Sequence, residues 1–453
     1  MNASERQSTF ALSSIFALRM LGLFMIVPVF AIAGQQYEGA TPALLGLAVG
    51  IYGLTQAIFQ IPYSWWADHS ARKPLIVFGL FLFALGGAIA ALSSNIWGVI
   101  IGRAIAGSGA VSAVVMALLA DVTREEQRTK AMAMMGMSIG LSFMLAFSIG
   151  PWLSVELGIS GLFWLTSVMG LLAMLLLLLA PHVQVQHKTR HNDYQEKLRA
   201  VLKNANLNRL HLSIFMLHLL MTALFVFLPK QLVEWANIPV NHHGWVYMPL
   251  LLLSLFFAVP GIIVAEKKRQ MRHIFIAAVL TMFAGLMVLT AFHHIAWGLL
   301  LGLALFFIAF NVVEALLPSW LSKIAPASLK ATAMGINASS QFLGAFAGGV
   351  LGGQLLAFHN YYVAWAILAA VGLIWLLTSW YMDSPRYLST LTVKLPQQHD
   401  VMAWSEQLLT IEGVEEVVIL RDQHMAYLKV DTSMLGDVER QKLSQMSAEV
   451  VAF

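Results

Sequence analysis

Three charged residues, Arg19, Arg103 and Glu314, lie well inside long apolar runs, and His218 adds a titratable ring inside another. A charge at the centre of a membrane helix costs about 2.5–3.5 kcal/mol on insertion scales, so each one needs a partner or a wet cavity. Arg19 and Glu314 are each nine residues from the end of their run, about 14 Å deep at the helical rise. Both should face an interior near mid-depth. Glu314 is the one deep carboxylate and therefore the natural proton site, with a static ion pair or a packing hydrogen bond as its structural alternative. Its proton affinity is set by desolvation against nearby cations. His218, seven residues into its run, is a second proton-coupling candidate, or a satisfied buried imidazole. Arg103 sits toward one end of its run and can also snorkel to the surface.

Neutral polar residues form stripes in the same runs. Tyr52, Gln56, Gln60 and Tyr63 stand at i, i+4, i+8 and i+11 and share one helix face. A lipid-facing helix would not align two Gln residues, so the stripe either lines a cavity or hydrogen-bonds a neighbouring helix. Asn311 shares a face with Glu314, and Asn337 with Gln341. These positions are expected to line a substrate cavity, to which numerous Met and Phe residues add adaptable apolar surface. Gly344, Gly348 and Gly352 make a four-residue ladder, with Gly349 and Gly353 one step on, and such ladders permit close helix packing.

The elements that must hold these side chains are membrane helices. The chain is 59% hydrophobic and 11% charged with a mean hydropathy of +0.74, against about 25% charged in a soluble domain. Runs of about 20 apolar residues can each cross the hydrocarbon layer, and backbone satisfaction in lipid makes them helices. Twelve spans are expected, at about 10–33, 44–66, 74–93, 96–119, 129–153, 157–181, 211–236, 244–265, 273–292, 295–322, 330–357 and 361–382. Residues 1–9 are polar and the first run is long and carries Arg19, so no cleaved signal peptide is expected. With the N-terminus cytoplasmic, the cytoplasmic loops hold Arg72 and Lys73, then Arg124, Arg128 and Lys130, then six basic residues from Lys188 to Arg209, then Lys267 to Arg272, then Lys323 and Lys330. The opposite side holds Lys230. This asymmetry fixes orientation, and an even number of spans puts both termini in the cytoplasm. The net charge of +4 is a topology signal, and no nucleic-acid partner is expected. The absence of Cys excludes disulfides and thiolate metal sites.

The chain repeats itself. KAMAMMG begins at Lys130 and KATAMG at Lys330, 200 residues apart, each opening a span from the basic side. The expected plan is two six-helix halves, 1–181 and 211–383, around a midplane cavity, joined by a linker at 182–210. Within that linker, YQEKLRAVLKNA spaces apolar residues for a short surface helix, or it is a solvated connection.

The turn between spans two and three reads Ser64-Trp-Trp-Ala-Asp68-His-Ser-Ala-Arg72-Lys73. It resembles the signature Gly-x-x-x-Asp-Arg-x-Gly-Arg-Lys of the major facilitator superfamily, with Ser64, His69 and Ala71 as departures. Asp68 and Arg72, with Lys73, Asp121 and Arg128 nearby, would form a conformational latch between helix ends. Plain orientation marking is the alternative for Arg72 and Lys73. SIFALRMLGLFMIVPVF in span one looks like drug:proton antiporters of this superfamily. So do Gly150 and Pro151 in span five, although Ser154 and Val155 stand where that signature has a glycine pair. RAIAGSGA from Arg103 resembles the signature Arg-x-x-Gln-Gly, which implies a proton-transfer role for Arg103. The resemblance implies alternating access in the bacterial inner membrane.

The tail, 384–453, turns soluble in composition. Strands at LSTLTVKLP, VEEVVILRD and MAYLKVD and helices at 400–413 and 437–450 give βαββα, a ferredoxin-like pattern with its last strand short or missing. It resembles metal-carrier domains without their Cys-x-x-Cys loop, so a regulatory ligand or protein contact is expected rather than metal carriage. No nucleophile–base pair, metal cluster or phosphate loop is evident, so neither an enzyme nor a cofactor is expected. The reading is an all-α membrane protein with a small α+β tail, a secondary transporter for proton-coupled efflux of small amphipathic molecules. The alternatives are proton-coupled uptake of a nutrient and a non-transporting membrane sensor.

Overall fold

The computed structural model describes residues 1–179, 194–326, 329–358, 360–385, 388–394, 401–420, 425–431, 441–442 and 450–452. The chain divides into two compact units. One is Met1–Leu321 with Ala325–Asp383, and the other is Ser384–Phe453 with Ser322–Ile324.

The first unit is helical throughout. Its elements are α1 (Ala3–Phe24), α2 (Phe30–Ala33), α3 (Pro42–His69), α4 (Arg72–Leu92), α5 (Ile96–Ser108), α6 (Ser112–Asp121), α7 (Glu125–Glu156) and α8 (Gly158–Leu176). After these come α9 (Tyr194–Lys203), α10 (Ala205–Glu234), α11 (His243–Lys267), α12 (Met271–Phe292), α13 (Ala296–Ile324), α14 (Lys330–Leu356) and α15 (Tyr361–Trp380). Eleven spans among the described residues are long and apolar enough to cross a membrane. The helix expected as the eleventh span, α14, falls short on composition because Asn337, Ser339, Ser340, Gln341 and its glycines dilute the apolar residues.

Two spans differ from expectation. The first begins at Ala3, where Asn2 and Glu5 form a reciprocal capping box that satisfies two end N–H groups. It also breaks between Phe24 and Phe30, because Pro28 lacks an N–H and crowds the carbonyl one turn back. The fourth span is two helices, α5 and α6, parted at Gly109, where an added Cβ would overlap the carbonyl oxygen of Gly79. The linker segment expected at 194–205 is helical as α9, with Val201 fully buried; 182–193 lies outside the described residues.

Arg72, Arg124, Lys130, Lys267 and Lys330 lie at one end of the helices, here called the basic end. Helices α3 and α14 meet toward the other, far end. Gly349 and Gly353 of α14 face Gly46 and Gly50 of α3 so closely that a Cβ on Gly349 would lie 2.7 Å from the Gly46 carbonyl oxygen. Gly344, Gly348 and Gly352 turn the adjacent face of α14 to α10, against Phe215, Leu219 and Ala223. The two glycine rows therefore serve two different neighbours. Gly150, followed by Pro151 within α7, approaches the Met25 carbonyl oxygen at the break after α1. Gly136 and Gly140 of α7 and Gly335 of α14, nearer the basic end, face open space.

The second unit holds β1 (Leu388–Lys394), α16 (Val401–Leu409), β2 (Val414–Leu420), β3 (Met425–Asp431) and β4 (Val450–Ala452). The sheet order is β2-β3-β1-β4 and every pairing is antiparallel. Leu391 and Val393 of β1 and Ala426, Leu428 and Val430 of β3 alternate into a core capped by Trp404 and Leu408 of α16. Of the helix expected at 437–450, Gln441 and Lys442 are helical, but Val450 opens β4, so the chain turns back into the sheet sooner than its pattern indicated. The rest of that segment lies outside the described residues.

Candidate functional site

Helices α10, α13 and α14 bring three of the expected residues together. The Gln341 amide nitrogen is 2.8 Å from His218 Nε2 and 3.4 Å from Glu314 Oε1. Glu314 Oε2 is 3.8 Å from His218 Nε2 and has no hydrogen-bond partner. His218 is buried, whereas the Glu314 side chain is 37% exposed, so the carboxylate stands at the border of the packed helices and the space beside them. The imidazole is held through Nδ1, 3.1 Å from the Ile214 carbonyl oxygen.

Asn311 and Asn337 do not join this cluster. Asn311 donates to Ser254 Oγ of α11 at 2.7 Å. Asn337 is buried beside His211.

A second polar network joins α1, α3 and α6. Arg19 donates to Ser112 Oγ at 2.6 Å, to the Tyr52 hydroxyl at 3.0 Å and to Gln56 Oε1. Gln56 passes a bond to Gln60 at 3.1 Å. Among the described residues no carboxylate pairs with Arg19, and Arg19 makes no contact with Glu314. Tyr52, Gln56 and Gln60 are 3%, 0% and 3% exposed. The expected cavity wall gives way to the other reading of the stripe, bonding to neighbouring helices: Tyr52 and Gln56 hold a terminal nitrogen of the buried Arg19 guanidinium, whose Nε has no partner, and Gln60 holds Gln56. Arg103 is 4% exposed, donates to the Ala48 carbonyl and, at 3.1 Å, to the Val49 carbonyl, and lies over the Tyr52 ring. It does not snorkel.

Aromatic rings join α7 to α10 and α13 between these networks. Phe143 and Phe147 of α7 meet Phe310 and Phe225 with ring centroids 6.0 and 4.4 Å apart, and Phe310 also touches the His218 ring edge-on at 5.9 Å.

At the basic end, Arg72 grips Asp121 with Nε at 2.6 Å and Nη2 at 3.5 Å, tying the start of α4 to the end of α6. Arg128 donates to the Ala120 carbonyl beside it at 3.3 Å, and Lys73 is half-buried next to Arg72. The Asp68 side chain lies outside the described residues. Because the pair is partly exposed, Asp121→Asn is expected to cost about 1 kcal/mol or less, a fall of a few degrees in the detergent melting temperature. A collapse of the fold would contradict that.

The sequence pattern of the Major Facilitator Superfamily matches residues 12–349. The chain belongs to this superfamily. It is 42% identical over 445 residues, 97% of each chain, to the inner membrane transport protein YajR of Escherichia coli K12. It is 26% identical over 379 residues to the multidrug resistance protein MdtH of Aeromonas salmonicida, covering 81% of this chain and 92% of that one. Its fold matches the solved D-xylose-proton symporter with TM-score 0.70 at 16% identity, over 84% of this chain and 98% of the other. It is thus a multi-pass transporter of the superfamily, and Arg72, in the loop that resembles the superfamily's signature, pairs with Asp121 at the end of α6.

Three features went unforeseen. Glu5 accepts from Arg124 through both oxygens, with Nε at 2.9 Å, pinning the start of α1 to the start of α7. Ser112 is the third partner of Arg19. The Phe143–Phe310 and Phe147–Phe225 contacts bridge α7 to α13 and α10. A charge three residues into a helix signals the first; the others join positions 78 to 167 residues apart and leave no local pattern.

Proposed function

We propose that this chain is a proton-coupled secondary transporter that exports small amphipathic molecules across a bacterial inner membrane by alternating access, with both termini in the cytoplasm. The observation that carries it is the Glu314–His218–Gln341 cluster: a partly exposed carboxylate beside a buried imidazole, at mid-depth in the helices. A carboxylate there can take up a proton from water in the open space and surrender it when the environment changes. The basic loops support a cytoplasmic basic end, and the inner-membrane relative supports the location. On this reading the far-end glycine seam closes the outer mouth, and Gly136, Gly140 and Gly335 border the open cytoplasmic mouth. The Arg72–Asp121 pair stiffens the N-terminal half while it moves against its partner. Efflux rather than uptake is supported by the resemblance to multidrug-resistance proteins. Arg19 and Arg103 serve this path indirectly, by keeping the N-terminal helices in register.

The membrane unit divides into halves 1–181 and 211–383 with the linker 182–210 between them. Residues 384–453 are read as a ferredoxin-like domain, supported by the antiparallel β2-β3-β1-β4 order, whose role is regulatory contact with a ligand or protein.

Everted membrane vesicles energised to an inward proton gradient test the transport reading. A panel of amphipathic dyes and antibiotics should contain compounds that collapse the gradient when the protein is present. The same compounds should have no effect in vesicles carrying Glu314→Gln. A panel of sugars and amino acids that acts instead would turn the reading to uptake. No response from either panel, with the protein shown to be folded, would leave a sensor.

A further inference from the structure

Among the described residues the Gln341 amide is the one group hydrogen-bonded to both His218 and Glu314, and its chemistry is one-sided. Its nitrogen is a donor only. His218 Nδ1 faces the Ile214 carbonyl oxygen at 3.1 Å, so Nδ1 carries the hydrogen and the lone pair of the neutral ring sits on Nε2. That lone pair accepts from Gln341 at 2.8 Å, and the second amide hydrogen points to Glu314 Oε1 at 3.4 Å. With the imidazole neutral, the amide can donate to both neighbours at once, and Glu314 Oε2 alone of the facing atoms is left without a partner. An imidazolium bears hydrogens on both nitrogens and cannot accept the amide. Turning the amide over would offer its oxygen to the imidazolium but set that oxygen against Glu314 Oε1, acceptor against acceptor.

We propose that Gln341 makes proton binding at His218 and the present position of α14 mutually exclusive. While the amide sits between the two groups, His218 holds no second proton. When α14 withdraws it, Nε2–H can close the 3.8 Å gap to Glu314 Oε2, an oxygen that now lacks a partner. The same α14 carries Gly349 and Gly353, which close the far-end seam against α3, so one movement opens the seam and admits the proton. This rests on the proton-coupled reading above and adds the residue that links proton to helix.

The groups around His218 leave the task to these residues. On α10 the next titratable group is His211, two turns away beside Asn337. On α13, Glu314 is the one group within ion-pair distance, with Lys323 at the basic end. The charged residue of α14 is Lys330, at its start. On α15, Tyr361 and Tyr362 stand at the far end, and α9 holds Glu196, Lys197, Arg199 and Lys203 at the basic end. On α3, Tyr52 points to Arg19 and Tyr63 is buried. Phe310 meets the imidazole edge-on.

The chain has no natural Cys, so Ala43→Cys and Gln354→Cys place spin labels on exposed residues across the seam. Pulsed electron resonance then reads their separation from pH 5 to pH 9 in the full chain in nanodiscs. The distance should lengthen as pH falls, with a single midpoint. Gln341→Leu should move that midpoint up by at least one pH unit, a tenfold gain in proton affinity, because the neutral ring loses its donor and the imidazolium its obstacle. Gln341→Asn should fall between, and carries the test if the Leu variant does not fold. His218→Gln should abolish the dependence. If both Gln341 variants keep the wild-type midpoint while His218→Gln abolishes it, the role of Gln341 is refuted and the proton site stands. If the wild type shows no dependence, or keeps it in both His218→Gln and Glu314→Gln, the proton site itself fails.

Discussion

Gly349→Val should leave the protein folded yet unable to close its far end. A Cβ at position 349 would lie 2.7 Å from the Gly46 carbonyl oxygen and from the Gly50 Cα and backbone nitrogen. None of these is the tip of a flexible side chain, so α3 and α14 must part. Overpacking costs about 1–3 kcal/mol, which shifts a two-state equilibrium by roughly 5- to 150-fold. The whole shift falls on the sealed state, because the seam exists there. The distance between spin labels at Ala43→Cys and Gln354→Cys should be longer in the Gly349→Val background than in the parent, and transport should fall. Gly335→Ala is the control: it lies on the same helix with open space around it, so that distance should not change. The parental distance in Gly349→Val would mean the seam does not move.

Glu314→Gln should separate movement of substrate from its coupling to protons. The amide is isosteric, and its oxygen can still accept from Gln341, so the three-helix contact survives. It cannot take a proton. Accumulation driven by a pH gradient should therefore drop at least about tenfold, the equivalent of about 1.4 kcal/mol of lost coupling. Exchange of labelled for unlabelled substrate without a gradient should stay within about twofold of the parent. An equal loss of both would assign Glu314 to packing or substrate binding. Retention of both would remove it from the mechanism.

The depth of a side chain along an apolar run is a property of sequence, and it singled out Glu314 and His218 as separate proton-coupling candidates. What faces them is not. Gln341 is 27 residues from Glu314 and 123 from His218, and nothing local marks it as the amide that joins them. The stripe of Tyr52, Gln56 and Gln60 shows the same limit. Periodicity placed the three on one face and could not say that Arg19 occupies the far side of it. Arg103 was legible as a charge near a helix end, but its burial depends on α3 presenting the Ala48 and Val49 carbonyls, a tertiary fact. The helices were legible because hydropathy alone forces them. Their breaks were harder: Pro28 carries its own cause, whereas the break at Gly109 depends on how closely α4 approaches. The glycine rows of α14 were plain, and the discovery that each row has its own partner helix needed the packing.

One experiment addresses the central claim, that the Glu314–His218 site exchanges a proton with water as the protein changes state. A compound active in the vesicle panel is added to purified protein in weakly buffered detergent, and a dye records the pH of the medium. Wild-type protein should release protons in proportion to occupied sites, and Glu314→Gln, saturated with the same compound, should release almost none. Release of equal size from both proteins would contradict the account.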